Sequence, residues 1–390
     1  MQLAIDCASF TPTEADQLRQ AMSSKRAPER IEELRGRLLA GMAANGIPAG
    51  VAEDVYVKIL AFSSYGFPES HAISFAYLVY ASAWLKCYYP AAFTAALLRA
   101  QPMGFYSPAS LISDVRRHRV EVRGVDVNVS AVLAALENPA GGGAARGAGQ
   151  ADPAGGKPVA GQPAIRLGLS DVRNLGADPA AAVVAGQPYR DLEDFARRTR
   201  LPAPALEALA TAGAFGCFGI SRREALWAAG AAATIRSGQL PGTTPGLAAP
   251  PLPAMTAAEE TFADLWATGT YGTHPIEHIR AGLAEQGVIG ASDLRTARPG
   301  SNVTVAGLVT HRQQPGTARG VVFLSLEDET GMANVICPPA VWERHRRLAL
   351  DASALVVFGR VERLDGAASL LAARLRRLRV VAAARSRDFR

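Results

Sequence analysis

Two stretches of the chain carry too few large apolar side chains to bury a face: residues 137 to 164, ENPAGGGAARGAGQADPAGGKPVAGQPA, and residues 238 to 256, GQLPGTTPGLAAPPLPAMT. Gly, Pro and Ala dominate both, which leaves little surface to pack and a backbone that resists helix and strand, so both read as flexible connectors. A chain of 390 residues exceeds what one hydrophobic core usually supports, and the connectors cut it into three blocks. A multidomain protein is expected.

Helical periodicity runs through the first block. Thr13, with Glu14 and Asp16 behind it, reads as the N-cap and acidic first turn of a helix reaching toward Met22. A second helix opens near Pro28 and carries Ile31, Leu34, Leu38, Leu39 and Met42 on one stripe, with Gly46 as its stop. Residues 51 to 62 and 72 to 100 continue the helical period on either side of the turn SSYGFPES. From about residue 115 the alternation in VEVRGVDVNVS predicts a short strand or extended segment. Short helices punctuated by glycine fill 165 to 232. The last block begins with helices and then changes to period two in SNVTVAGLVTHRQ, GVVFLSLEDETG, MANVICP, ALVVFGRVERLDG and ASLLAARLRRLRVV. Five strands with a helix, PPAVWERHRRLAL, after the third give the strand count of an OB-type barrel, with an SH3-like barrel as the alternative. The expected fold is mainly α, followed by a C-terminal β barrel.

The charge narrows the partners. Only four of the 41 basic residues are lysine, and the net charge is +6 with a pI near 9.3. Arginine offers planar, bidentate hydrogen bonding to phosphate, which favours a polyanion such as nucleic acid, although a GC-rich genome would produce the same composition. Cys7, Cys87, Cys217 and Cys337 are scattered without a C-x-x-C pair, so neither a zinc site nor a disulfide framework is expected, and free thiols in a reducing cytoplasm are. The N-terminus lacks the basic and apolar regions of a signal peptide, and the longest apolar stretch, Ala72 to Leu85, is too short for a bilayer.

Several patterns bear on chemistry. Leu169, Val172, Leu175 and Gly176 have the spacing of a helix-hairpin-helix, in which a tight turn at Arg173, Asn174, Leu175 and Gly176 aims backbone N–H groups at DNA phosphate. A weaker second copy is read at Ala212, Gly213 and Ala214, with Arg222 and Arg223 to neutralise phosphates. An ordinary glycine turn between packed helices is the alternative for both. In the barrel, His311, Arg312, Arg319, Phe323 and Trp342 are candidates for a basic and aromatic surface that takes single-stranded template, with Phe323 equally well placed for the core. Three consecutive carboxylates in LEDETG, residues 326 to 331, alternate between faces of a strand and so are read as a solvated acidic turn, not a metal site. His274 and His278 have the i, i+4 spacing of zinc ligands but lack a third ligand and the H-E-x-x-H glutamate, so the segment reads as structural. Ser70 and His71 stand at the start of a long helix, where free N–H groups and the dipole favour a triphosphate; Lys86 lies about four turns further along. The competing reading makes Ser70 a simple cap and Phe75, Leu78, Val79, Ser82, Trp84 and Leu85 core.

The segment YGFPESHAISFAYLVYASAWLKCYYPAAFTAALL, Tyr65 to Leu98, resembles the fingers of bacterial C-family replicative polymerases, the DNA polymerase III alpha kind. QPMGFYSPASLISDVRRHRVEVRGVDVNVS, at 101 to 130, resembles the error-prone alpha-like branch, and both AIDCASFTPTEADQLRQAMSSKRAPERIEELR and ATGTYGTHPIEHIR extend the resemblance over nearly all of the chain outside the connectors. It implies a fingers-like helical domain at 1–136, a linker at 137–164, a tandem helix-hairpin-helix domain at 165–237, a Pro/Gly linker at 238–256, a helical connector at 257–298 and an OB-fold domain at 299–390. It also implies that Lys25, Arg26, Ser70 and His71 contact the nucleotide, that primer-template DNA and a deoxynucleoside triphosphate are bound, and that a sliding clamp and accessory translesion proteins are possible partners. No cofactor is expected within the chain; the magnesium of the complete polymerase is expected on palm aspartates in a missing N-terminal half, which would make Met1 an internal methionine. A non-catalytic DNA-binding protein and a protein-interaction scaffold are the competing readings.

Overall fold

The structure, a computed structural model, describes residues 2–22, 27–63, 69–138, 161–236, 238–364, 366–380 and 387–389. Its contacts divide into two units, Met1–Ala83 with Gln313–Val322 and Phe389–Arg390, and Trp84–Arg312 with Phe323–Asp388.

The first unit is built on α1 (Gln2–Ala8), α2 (Pro12–Met22), α3 (Ala27–Ala44) and α4 (Ala49–Ser63). Ile31, Leu38 and Met42 bury one stripe of α3 against Ala4, Ala8, Phe10, Leu18 and Tyr56, while Leu34 and Leu39 are only half-buried. A side chain in place of Gly41 would meet the Ala8 carbonyl at 2.1 Å, so glycine lets α1 lie directly on α3. The cap of α2 is Thr11, not the expected Thr13. Its hydroxyl accepts from the Glu14 N–H at 3.2 Å and the Glu14 carboxylate accepts from the Thr11 N–H at 2.7 Å, a capping box with Pro12 in the first helical turn. Helix α5 (Glu69–Tyr88) follows. The core expected of it is not found: Phe75, Leu78, Val79 and Leu85 are exposed, the first three by more than half.

In the second unit α6 (Pro90–Arg99) and α7 (Pro108–Arg117) lead into a small sheet. β1 (Val122–Arg123) pairs parallel with β3 (Ala164–Arg166), and β2 (Ala135–Glu137) pairs antiparallel with β3, Leu136 opposite Ile165. Glu137 on β2 bridges Arg123 and Arg166 at 2.8 Å each. The first Gly/Pro stretch therefore begins and ends on neighbouring strands. It does not separate two domains, because a single core runs from Ala91 and Ile112 through Ile165 and Leu169 to Phe195, Leu209, Phe215 and Ala232. Residues 139–160 of that stretch lie outside the described ones.

That core is closed by α8 (Ala177–Gly186), α9 (Leu192–Thr199), α10 (Ala203–Thr211) and α11 (Arg222–Ala232). The second Gly/Pro stretch has no helix or strand among its described residues, yet it is tied down. Arg197 donates to the Gln239 carbonyl at 2.6 Å and the Gly242 N–H to Glu193 at 2.9 Å.

Beyond α12 (Ala257–Thr268), α13 (Arg280–Glu285) and β4 (Val288–Ile289), five strands close on themselves: β5 (Asn302–Gln313), β6 (Val322–Asp328), β7 (Gly331–Cys337), β8 (Ala354–Leu364) and β9 (Ala367–Arg377). α14 (Pro339–Asp351) sits between β7 and β8, and β10 (Arg387–Phe389) lies beside β5. Antiparallel pairing of β5 with β8, Val305 opposite Val357, closes the ring, and β7 runs parallel to β9. Helix placement and strand order are those of an OB-fold, as the alternation of the sequence led us to expect. Leu324, Leu326, Val335, Leu355, Val357, Leu370 and Leu375 fill the inside. Part of the outside is also covered, where Ala306 and Val356 meet Ile276 and Leu283 of the connecting segment.

Candidate nucleic-acid interface

At the first predicted hairpin, a 3-10 turn (Leu169–Asp171) runs through Val172 and Arg173 into Asn174, Leu175 and Gly176, the last being the N-cap of α8. Leu169, Val172 and Leu175 are buried and anchor the turn to the core. Asn174 is left-handed at φ 63° and Gly176 has φ 70°, a combination that suits asparagine and glycine. The N–H groups of Ala177 and Asp178 open α8 and have no intrahelical acceptor, so they and the Gly176 N–H form a ready cradle for an anion. Side chains around the turn are fixed from within. Asn174 donates to the Pro204 carbonyl at 3.4 Å, and Arg173 donates to the Trp266 carbonyl at 2.9 Å with its guanidinium 4.7 Å from the Trp266 ring.

The second hairpin is not at Ala212, Gly213 and Ala214. The geometry of the first turn recurs at Arg200, Leu201 and Pro202: Arg200 is left-handed at φ 52°, Leu201 is buried, and Pro202 is the N-cap of α10. Asn174 reaches the Pro204 carbonyl in this second turn, which ties the two hairpins together. The signal available in the sequence was Pro202 and Pro204 in LPAPAL, which mark a helix start. Arg222, expected to meet phosphate, is spent inside: it pairs with Asp264 at 2.7 Å and donates to the Thr211 carbonyl at 3.2 Å. Arg223 pairs with Glu259 at 2.8 Å.

The expected barrel surface does not form either. Arg312 is buried and donates to the Ala349 and Ala352 carbonyls at 2.7 and 2.5 Å, so its charge closes the C-terminus of α14. His311 is buried against the Phe105 carbonyl, and Trp342 is core. Arg319 is exposed and left-handed at φ 49°, and Phe323 is about one-third exposed at 38%. The LEDETG carboxylates are not a solvated turn. Glu327 is buried, accepts from Ser110 at 3.0 Å and lies 3.4 Å from Arg117; burial raises its carboxyl above the ordinary range against the pull of Arg117. Asp328 is wholly buried and accepts from the Thr330 and Gly331 N–H groups, the Ala291 N–H and Arg280. Glu329 pairs with Arg280.

These carboxylates are therefore committed to the fold and do not suit magnesium, and no cluster of three or more metal-ligating side chains occurs among the described residues. His278 meets Thr261 at 2.8 Å, and His274 accepts from the Ile276 N–H, with burial driving its pKa down to about 4. Both histidines are structural.

Lys25 and Arg26 lie outside the described residues. Ser70 is in the first turn of α5, whereas the exposed His71 ring sits 4.5 Å from that of Phe75 and Lys86 pairs with Asp114 at 2.8 Å. All four cysteines are free. No helix among the described residues is long and apolar enough to cross a membrane.

Comparison with known proteins agrees with this geometry. Residues 1–46 match the finger domain of the bacterial DNA polymerase III alpha subunit, 119–225 a helix-hairpin-helix motif, and 303–378 an OB-fold nucleic acid binding domain. The hairpin match begins before the first Gly/Pro stretch, as the continuous core does. Over its whole length the chain is 52% identical to the error-prone DNA polymerase of Mycobacterium tuberculosis H37Rv, 51% to that of Nocardia farcinica and 46% to that of Corynebacterium glutamicum. It spans about a third of the length of each, 34, 33 and 35%.

Proposed function

The chain belongs with the bacterial error-prone DNA polymerases, about a third of whose length it spans, and on that premise we propose that it grips primer-template DNA for such an enzyme. The observation that carries this reading is the pair of hairpins, each a left-handed residue, a buried leucine and a helix N-cap, held together by Asn174. Such turns hold phosphate through the backbone and so bind without regard to base sequence, which suits an enzyme that must move along its template.

Within the same proposal, Lys25, Arg26, Ser70 and His71 seat the triphosphate of the incoming deoxynucleotide, and the remaining two-thirds of the polymerase holds the magnesium ions on its own carboxylates. Bound there, the ions would supply Lewis-acid chemistry at the primer hydroxyl and the leaving pyrophosphate, while this chain positions the duplex. A sliding clamp and accessory translesion proteins complete the proposed set of partners, in the cytoplasm.

A gel shift of the 390-residue chain with primer-template DNA tests this. Between about 50 and 200 mM salt the affinity should fall by about a thousandfold or more if six or more phosphates are neutralised. A flat salt response would mean no phosphate contacts and would favour a protein-interaction scaffold. Steady nucleotide incorporation by the chain alone would refute the assignment of the metals to the rest of the polymerase.

A further inference from the structure

Ser113, Arg116 and Arg117 stand at i, i+3 and i+4 on α7 and so share a face. That face borders a cavity of about 300 Å³ against the segment between α12 and α13. Arg117 is spent on Glu327 and Asp114, at 3.4 and 3.6 Å. Arg116 is half-buried and donates through Nη1 to the carbonyls of Tyr271 and Gly272, the second at 2.8 Å, but has no ion pair among the described residues. Asp264, whose charge reaches it, is already paired with Arg222 at 2.7 Å. Burial pulls Arg116 below its ordinary pKa, the mark of a cation short of compensation.

His274 lines the same cavity and is only 6% exposed. Its Nδ1 accepts from the Ile276 N–H at 3.2 Å, and burial holds its pKa near 4. At neutral pH the ring therefore carries one proton, and the bond at Nδ1 puts that proton on Nε2. Nε2 has no partner among the described residues. A buried donor without an acceptor is rare and costly, so the fold holds this ring in place and leaves half of its bonding capacity unused.

A guanidinium and a neutral N–H on one cavity call for an oxyanion, and the planar fork of arginine suits carboxylate and phosphate alike. The neighbouring acids decide between them. Glu277 borders the cavity, is exposed and has no ion pair among the described residues, whereas Glu329 is neutralised by Arg280. One negative charge is answered by Arg116; a second would face Glu277. The volume sits at the lower end of small-molecule sites. We propose that this cavity binds a carboxylate, with its oxygens on the Arg116 guanidinium and the His274 Nε2–H. The carboxylate is that of a small organic acid or of a peptide C-terminus, since the chemistry is common to both. The site is separate from the DNA grip and does not rest on it.

The test titrates the full 390-residue chain at constant ionic strength with sodium acetate, N-acetyltriglycine, the C-terminal amide of that tripeptide, and inorganic phosphate. Melting temperature and the histidine ring nitrogens in NMR spectra are the readouts. Acetate and the tripeptide should bind saturably and shift the His274 Nε2 signal, the amide should not bind, and phosphate should bind at least tenfold more weakly. Tighter binding of the tripeptide than of acetate marks a peptide C-terminus as the ligand, and the reverse marks a small acid; both support the inference. His274→Asn keeps an acceptor for the Ile276 N–H, as asparagine does in an Asx turn, and removes the Nε2 donor, so carboxylate affinity should fall about tenfold or more. Glu277→Gln, at an exposed position, should strengthen acetate about twofold to fivefold by removing a like charge. No saturable binding of either carboxylate, undiminished binding by His274→Asn, or phosphate tighter than both carboxylates overturns the inference. An equal loss of duplex affinity by His274→Asn in the gel shift also overturns it, because the cavity would then belong to the DNA grip.

Discussion

The hairpin at Asn174, Leu175 and Gly176 and the hairpin at Arg200, Leu201 and Pro202 trace the same backbone path but offer a phosphate different groups. In the first, Gly176, Ala177 and Asp178 all carry an N–H at the opening of α8. In the second, Pro202 and Pro204 carry none, which leaves Ala203 alone among the corresponding three residues. The positive charge is distributed the other way round. Asn174 is neutral and spends its amide on the Pro204 carbonyl, whereas Arg200 is exposed. On the proposed reading, one turn would hold phosphate through backbone dipoles and the other through a side-chain charge. Equivalent geometry does not require equivalent chemistry.

The comparison breaks first if the second hairpin is in fact at Ala212, Gly213 and Ala214, where Arg222 would be the phosphate ligand. Because Arg222 is paired with Asp264 and bonded to the Thr211 carbonyl, Arg222→Ala should cost about 2 kcal/mol of stability in urea melts. Duplex affinity of the folded variant should not change. A loss of affinity without loss of stability would return the hairpin to that turn.

Next in size is Gly176→Val. Nothing lies within 4 Å of the added Cβ, so the cost is conformational: a β-branched residue at φ 70° carries about 1–2 kcal/mol of strain, relieved by rotating the N–H groups out of the cradle. Tenfold weaker duplex binding with only a small fall in stability is expected. Arg200→Glu reverses the charge and leaves the second turn's backbone in place; at least a fivefold loss and a salt slope smaller by at least about one are expected in the same gel shift. If Arg200→Glu lowers affinity without altering the slope, the side-chain role assigned to the second turn fails.

The same contrast explains how much of the molecule was legible in its sequence. Strand alternation and the helix after the third strand gave the barrel, because a half-buried strand must alternate. The first hairpin was legible because Gly176 occupies a conformation that glycine alone takes freely, and the second was not because Arg200 is an unusual residue there and proline replaces the glycine. Composition exposed the Gly/Pro stretch at 137–164 but not that its two ends pair across β2 and β3, since pairing is a long-range property. Periodicity likewise gave no warning that Arg312 would close the end of α14 or that Asp328 would hold a turn from within. Burial of a charge depends on partners distant in sequence.

The smallest expected effect is also the most specific to the backbone account. Asp178 occupies the first turn of α8, exposed beside the N–H groups that would receive a phosphate, and its carboxylate already satisfies the positive end of that helix. Phosphate must therefore displace or share a local anion at the first hairpin. Asp178→Asn removes the charge while keeping the shape, so duplex affinity should rise about twofold to fivefold at low salt, the range of one helix-terminal charge, and the gain should shrink as salt screens it. The same substitution should lower the stability of the free chain slightly, because the helix loses a favourable charge at its start. Tighter binding together with a lower melting temperature would separate competition for the cradle from any general gain in order. Unchanged affinity would mean that phosphate does not approach α8, and the first hairpin would then have to rely on side chains as the second does.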